Sequence, residues 1–215
     1  MEVVSPVVLG TGYWMAVAIT CLFGAMSPGP SLAIVVSHSL SRGRIAGVCM
    51  ALSHGFGIGI YALITAFGLS EIIQRNAQLF SLIQLSGCVF LGYIGVKLIF
   101  KEKNINPKGL SLTSSSKLMA ARDGFLVAVL NPKILFFFTA LFSQFVRTES
   151  TYIDKLYLTV IAGGIDAIWY TLVAIVISGF TPSPTLKNLS IWLDKLFGLF
   201  FVSIGIIFIV ELLSH

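Results

Sequence analysis

The chain has 215 residues, of which 56% are hydrophobic and only 11% charged, with a mean hydropathy of +0.94. A soluble domain carries about 25% charged residues, so the composition excludes a soluble domain of any size and points to an integral membrane protein. The net charge of +5 does not indicate a nucleic-acid partner. The Lys and Arg residues stand at the ends of apolar segments, where they orient a membrane protein.

Residues 1–13 contain Glu2 and no Lys or Arg, and no small-residue cleavage site follows the first apolar run. That run is therefore expected to remain as a helix and not to be removed as a signal peptide. It extends from about Val7 to Met26, is interrupted by Ser27-Pro28-Gly29-Pro30, and resumes to about Ser37. The second segment runs from Ile45 to Leu69 and the third from about Leu79 to Phe100. The longest polar stretch, Lys101 to Arg122, reads as a central linker on the cytoplasmic side. A fourth segment covers Gly124 to Val146, a fifth Leu156 to Phe180 and a sixth Ile191 to Leu213. Each is close to the roughly 20 residues that cross a bilayer as a helix. None shows the alternation of a membrane β-strand. The expectation is an all-α membrane protein of six spans in one domain, with no appended module.

Counting Lys and Arg by face sets the expected orientation. Arg42, Arg44, Lys97, Lys101, Lys103, Lys108, Lys117, Arg122, Lys187 and Lys195 share one face, against Arg75, Arg147 and Lys155 on the other. The richer face belongs in the cytoplasm, so both termini are expected to be periplasmic. The three cysteines, Cys21, Cys49 and Cys88, lie inside apolar stretches. They read as small hydrophobic residues and not as a disulfide frame or metal site.

The two halves of the chain resemble one another. With Pro28 set against Pro132, the broken first segment lies against LVAVLNPKILFFFT. The second, GFGIGIYALITAFG, lies against GGIDAIWYTLVAIV, with a tyrosine in each, Tyr61 and Tyr170. The third, LSGCVFLGYIGVKLIF, pairs with LFGLFFVSIGIIFIVE, matching Gly87 to Gly198 and Phe90 to Phe201. A half with three spans obliges the second copy to enter the membrane from the opposite side. Two inverted three-helix repeats, about 7–100 and 123–213, are therefore expected, and such repeats in transporters hold their sites near the midplane at interrupted helices.

Several residues are candidates for that site. Ser27-Pro28-Gly29-Pro30 removes two backbone donors and adds the freedom of Gly29, so the helix must open there. Freed carbonyls in lipid cost several kcal/mol each, which favours a break facing a cavity over a plain packing kink. Asn131-Pro132-Lys133 is the corresponding break, with a side-chain amide and a cation; here a site and a lysine snorkelling to the interface are equally compatible. Asp166 falls midway along the fifth segment, where insertion costs about 2.5–3.5 kcal/mol, and it can take up and release a proton or serve as a bonded structural carboxyl. His54 titrates near neutrality and suits a proton relay, although a lone histidine is more often a packing residue. Tyr61 and Tyr170 could donate to a substrate carboxylate or pack as rings. Glu211 is expected at the interface in water.

Nothing indicates an enzyme: there is no phosphate loop, no HExxH, and no paired-aspartate or Gly-x-Ser-Gly setting of an intramembrane protease. Without an energy-coupling domain, active transport would have to draw on an ion gradient, and no cofactor is expected.

Taken together, Ser27-Pro28-Gly29-Pro30 with Arg42-Gly43, the run Gly87 to Lys97, Phe125 through Asn131-Pro132-Lys133 to Phe136-Phe137, and Asp166 with Trp169-Tyr170 resemble the lysine exporter (LysE/RhtB) family. The resemblance covers about residues 12–210. It implies an amino-acid efflux protein of the bacterial inner membrane driven by proton exchange, with the proline break, Asn131-Pro132-Lys133 and Asp166 as site or gate elements. Family members export lysine or arginine, homoserine or threonine, leucine-type residues, cysteine derivatives and sometimes metal ions. The lack of a second acidic residue near Asp166 weighs against a cationic substrate. The partners so implied are a small amino acid, protons and membrane lipids, with room for a homo-oligomer. The rival expectations are a non-transporting membrane scaffold and a passive channel.

Overall fold

A computed structural model describes residues 10–27, 29–100, 117–147, 150–179 and 184–214, without the side chains of Pro132, 184–194, Glu211 and 213–214. Pro28, most of the linker expected at Lys101 to Arg122, and the side chain of Lys187 lie outside the described residues. The described residues form eight helices and no strand: α1 (Thr11–Met26), α2 (Pro30–Arg42), α3 (Arg44–Arg75), α4 (Ala77–Ile99), α5 (Lys117–Leu130), α6 (Pro132–Phe145), α7 (Tyr152–Ile177) and α8 (Pro184–Ser214).

The helices α3, α4 and α7 are each long and apolar enough to cross a membrane, and the bent pairs α1–α2 (61°) and α5–α6 (56°) make five spans when each pair counts as one. In α8 the apolar stretch among the described side chains is Lys195–Val210. The fourth segment begins a turn or two earlier than hydropathy suggests, at Lys117, because its first turns are polar yet helical.

Both breaks follow from proline chemistry. A proline is tolerated in the first turn of a helix, where its missing N–H would have had no partner. Pro30 opens α2 and Pro132 opens α6, so each proline ends one helix by starting another. Asn131 caps α6, its Oδ1 accepting from the Lys133 backbone N–H at 3.0 Å, as an N-cap asparagine does. The start of α2 has no side-chain cap.

The chain is apolar outside and polar within. Phe56, Ile64 and Val160 are each 67% exposed, whereas Thr20, Ser31, His38, His54, Ser70, Asn131 and Asp166 are buried. Without a hydrophobic force between helices in lipid, close packing depends on small residues. A Cβ on Gly55 would sit 2.5 Å from Ala167, and one on Gly163 would sit 2.8 Å from the Gly55 carbonyl. Gly47 likewise meets Ala174, so α3 and α7 run antiparallel along their length. The pair α4 and α8 does the same, with Gly95 and Gly198 each 2.6 Å from the other's carbonyl and Gly205 against Cys88.

Two separate apolar clusters result. The larger joins α1, α4, α6 and α8 to the later turns of α3 and the early turns of α7, through residues such as Leu91, Phe137, Phe142, Phe197 and Phe201. The smaller holds Val35, Ala46, Met50, Ala51, Ala120, Tyr170 and Ala174. It lies towards the face that carries Arg42, Arg44 and Arg122.

Candidate functional site

Between the two clusters, where both broken spans open, lies a cavity of about 40 Å³. That is room for a few water molecules, since one needs about 10–15 Å³ of such space. Its walls come from α1 (Cys21, Gly24, Ala25), the first break (Ser27, Gly29), α3 (His54, Ile58), α6 (Phe137, Phe138) and α7 (Ala162).

The polar lining is a continuous network. Asp166 on α7 is 5% exposed and His54 on α3 is 1% exposed. The His54 Nδ1 lies 2.6 Å from Asp166 Oδ2, and its Nε2 lies 2.9 Å from the Ser31 hydroxyl. Asn131 Nδ2 donates to the same Ser31 oxygen at 3.2 Å, and Tyr170 lines the same cavity. The edge of the Tyr170 ring meets the His54 ring at 5.0 Å and 87°. Across the cavity, Lys133 Nζ donates to the Ser27 hydroxyl at 2.8 Å and leans on its carbonyl.

This geometry restricts proton positions. An ionised carboxylate only accepts, so the proton of the Asp166–His54 contact sits on Nδ1 when Asp166 is charged. Neutral His54 then accepts at Nε2, and Ser31 must donate to it. Protonated His54 donates at Nε2 instead, and the Ser31 proton is released to turn elsewhere. Ser31 therefore links His54 on α3 to Asn131 at the second break.

The backbone adds a second kind of complementarity. Helices α2 and α6 begin at the cavity, and helix N-termini favour anionic groups. Helices α1 and α5 end there with carbonyls, which suit a cation. Lys133 belongs to the first turn of α6 but turns its ammonium to Ser27 at the end of α1, whereas Asp166 is joined through His54 to Ser31 at the start of α2.

The structure brings Ser27, Gly29, Asn131, Lys133, His54, Asp166 and Tyr170 to one cavity. Pro28 and the Pro132 side chain lie outside the described residues. Pro30 is exposed at the start of α2, on a lateral groove with Leu126 and Leu130. Tyr61 does not reach the cavity. It lines a different lateral groove with Ile64 and Thr65, and its ring faces Phe138 at 6.4 Å. It sits two turns beyond His54, at the level of the larger cluster. Ser31 is the residue sequence reasoning missed, although it directly follows the break and shares a helix face with Val35 and His38. Among the described residues no group of three or more His, Cys, Asp or Glu could hold a metal ion.

Comparison with known proteins places this architecture. The profile of the LysE type translocator family matches residues 22–212. An uncharacterized membrane protein of Vibrio cholerae is 27% identical over 200 residues, covering 90% of this chain and 95% of its own. The threonine efflux protein of Escherichia coli strain K12 is 25% identical, covering 92% and 98%. The homoserine/homoserine lactone efflux protein of Salmonella typhimurium is 24% identical, covering 90% and 94%. No solved structure matches the chain. With the family profile spanning nearly the whole sequence and the broken helices meeting at a polar cavity, the chain belongs to the LysE type translocator family of multi-pass membrane proteins.

Proposed function

We propose that this protein exports small neutral amino acids of the threonine and homoserine class across the bacterial inner membrane in exchange for protons. The observation that carries the reading is the cavity itself: it brings Lys133 and Asp166 into one polar-lined space at the meeting point of two helix breaks. The names of the relatives indicate amino-acid efflux, and the cavity fits a zwitterion. Its carboxylate finds the Lys133 ammonium and the starts of α2 and α6; its ammonium finds the Asp166 carboxylate or the carbonyl ends of α1 and α5.

Two inverted repeats, about 7–100 and 123–213, supply alternating access in this reading. The antiparallel pairing of α3 with α7 and of α4 with α8 is what such repeats require, since an axis in the membrane plane reverses each helix onto its equivalent. A cavity of only a few waters is a closed state, and substrate entry requires the half-helices to part. Asp166 and His54 hold the exchanged proton. One proton moving through 100 mV contributes about 2.3 kcal/mol, enough for a gradient of about 50-fold at 1.36 kcal/mol per tenfold.

The test is accumulation of labelled threonine and homoserine in inside-out vesicles, with and without an imposed proton gradient. Gradient-dependent accumulation is expected. Flux indifferent to the gradient would replace the exchanger with a channel, and no flux across a broad amino-acid panel would leave a scaffold.

A further inference from the structure

A second His–Asp contact lies outside this network. His38 on α2 is fully buried, and its Nε2 stands 3.4 Å from Asp123 Oδ2 on α5, whose side chain is 25% exposed. Arg42 Nη1 is 3.4 Å from His38 Nδ1. A guanidinium only donates, so Nδ1 accepts and the ring proton sits on Nε2, the nitrogen near Asp123. Arg122 reaches the other Asp123 oxygen at 3.5 Å. The contact is an approach of opposite partners and not a hydrogen bond: Nε2 is buried with no hydrogen-bond partner among the described residues. A buried donor left without a partner carries a desolvation cost, so parting α2 from α5 gives up little here and lets water satisfy the ring.

Position gives the contact its meaning. Ser31 and His38 are seven residues apart on one face of α2, about 10 Å at 1.5 Å per residue. Their partners are Asp123 on α5 and, eight residues on, Asn131 just past its end, so they run in the opposite sense. The α2–α5 side is thus bridged by polar contacts at two levels, one at the cavity and one near the basic face. The small cluster, whose members include Val35, Met50 and Ala120, packs beside them. On the far side of the cavity, α1 and α6 are closed by the large aromatic cluster, and the Tyr13 hydroxyl donates to the Phe145 carbonyl at 2.8 Å.

We infer that His38 and Asp123 form the latch of a gate between α2 and α5, through which the cavity opens to the basic face. The inference rests on the cavity being the transport site, but the closure can be read without any transport. Cys21 lines the cavity, so in a chain carrying Cys49→Ser and Cys88→Ala it is the reporter thiol. A membrane-impermeant methanethiosulfonate is applied to right-side-out and inside-out vesicles, with an exposed Ser41→Cys version marking which orientation presents the basic face.

His38→Ala and Asp123→Asn are each expected to raise the Cys21 labelling rate from the basic face by about tenfold, the population shift that about 1.4 kcal/mol brings. Labelling from the opposite face should not change, and the double variant should gain little over either single one, because both remove the same contact. Should Cys21 be unreactive throughout, Ala25→Cys on the same wall serves in its place. No increase from the basic face, or an equal increase from both faces, overturns the latch. Intact latch behaviour in a protein that moves no amino acid would instead fault the proposed function.

Discussion

The two closures of the cavity are built from different materials. Towards the basic face the seal is thin: four alanines with Val35, Met50 and Tyr170, plus polar contacts at two levels on the α2–α5 side. Towards the other face it is deep and aromatic, with Phe137, Phe142, Phe145, Phe197 and Phe201 packed edge to face in places. Packed aromatics interlock and give little, because each ring displaced leaves a void. Small side chains bridged by polar contacts can separate and exchange those contacts for water. In the proposed gate, this difference makes the basic face the side that opens first from this state. It also separates the residues that hold the fold from those that let it move.

Four measurements break or sharpen that comparison. The largest effect is expected deep in the aromatic closure. Phe142 is fully buried, and Phe142→Ala should cost about 3 kcal/mol of stability in detergent, read as a lowered midpoint of thermal unfolding. A loss no larger than that of Val35→Ala would erase the distinction between the closures. Next comes the midplane that both closures share. Asp166→Asn should leave the protein in the membrane but reduce gradient-driven accumulation from about 50-fold to equality across the bilayer; unchanged accumulation would remove Asp166 from coupling.

A smaller effect belongs to Lys133. Its replacement by Gln removes one charge-assisted contact of about 1.5 kcal/mol, so the apparent KM for threonine should rise about tenfold. A changed maximal rate at constant KM would instead place Lys133 in the moving parts. The smallest effect lies on the exposed rim. Arg75 pairs with Glu71 on α3, with side chains 79% and 57% exposed. Arg75→Ala should alter stability by less than about 0.5 kcal/mol, and transport not at all.

Much of this arrangement was legible in the sequence. The charge deficit and the apolar runs gave a helical membrane protein, and the prolines located both breaks, because proline chemistry acts locally. Asp166 declared itself by its cost in an apolar segment. His54 was harder to read: sequence gave a lone histidine with glycines behind it, and only the antiparallel crossing of α3 and α7 brings it to Asp166. Ser31 was invisible for a related reason, since a serine in a first helical turn is ordinary until His54 and Asn131 converge on it. Tyr61 and Tyr170 looked alike along the chain, but helical phase and height turn one to a lateral groove and the other to the cavity. Hydropathy also could not reveal His38 with Asp123. Their partnership spans most of the distance between the two halves of the sequence.

Gly43, between Arg42 and Arg44, has φ of +82°, the positive-φ glycine among the described residues. A Cβ there would meet nothing within 4 Å, so the demand at this corner is for backbone handedness and not for space. With ψ of 175° the joint lies in a region essentially confined to glycine, where another residue would be strained by about 1–3 kcal/mol. Helix α2 therefore hangs between two glycines, Gly29 at the cavity and Gly43 at the surface. In the proposed gate, α2 would turn as a stiff rod about the outer one.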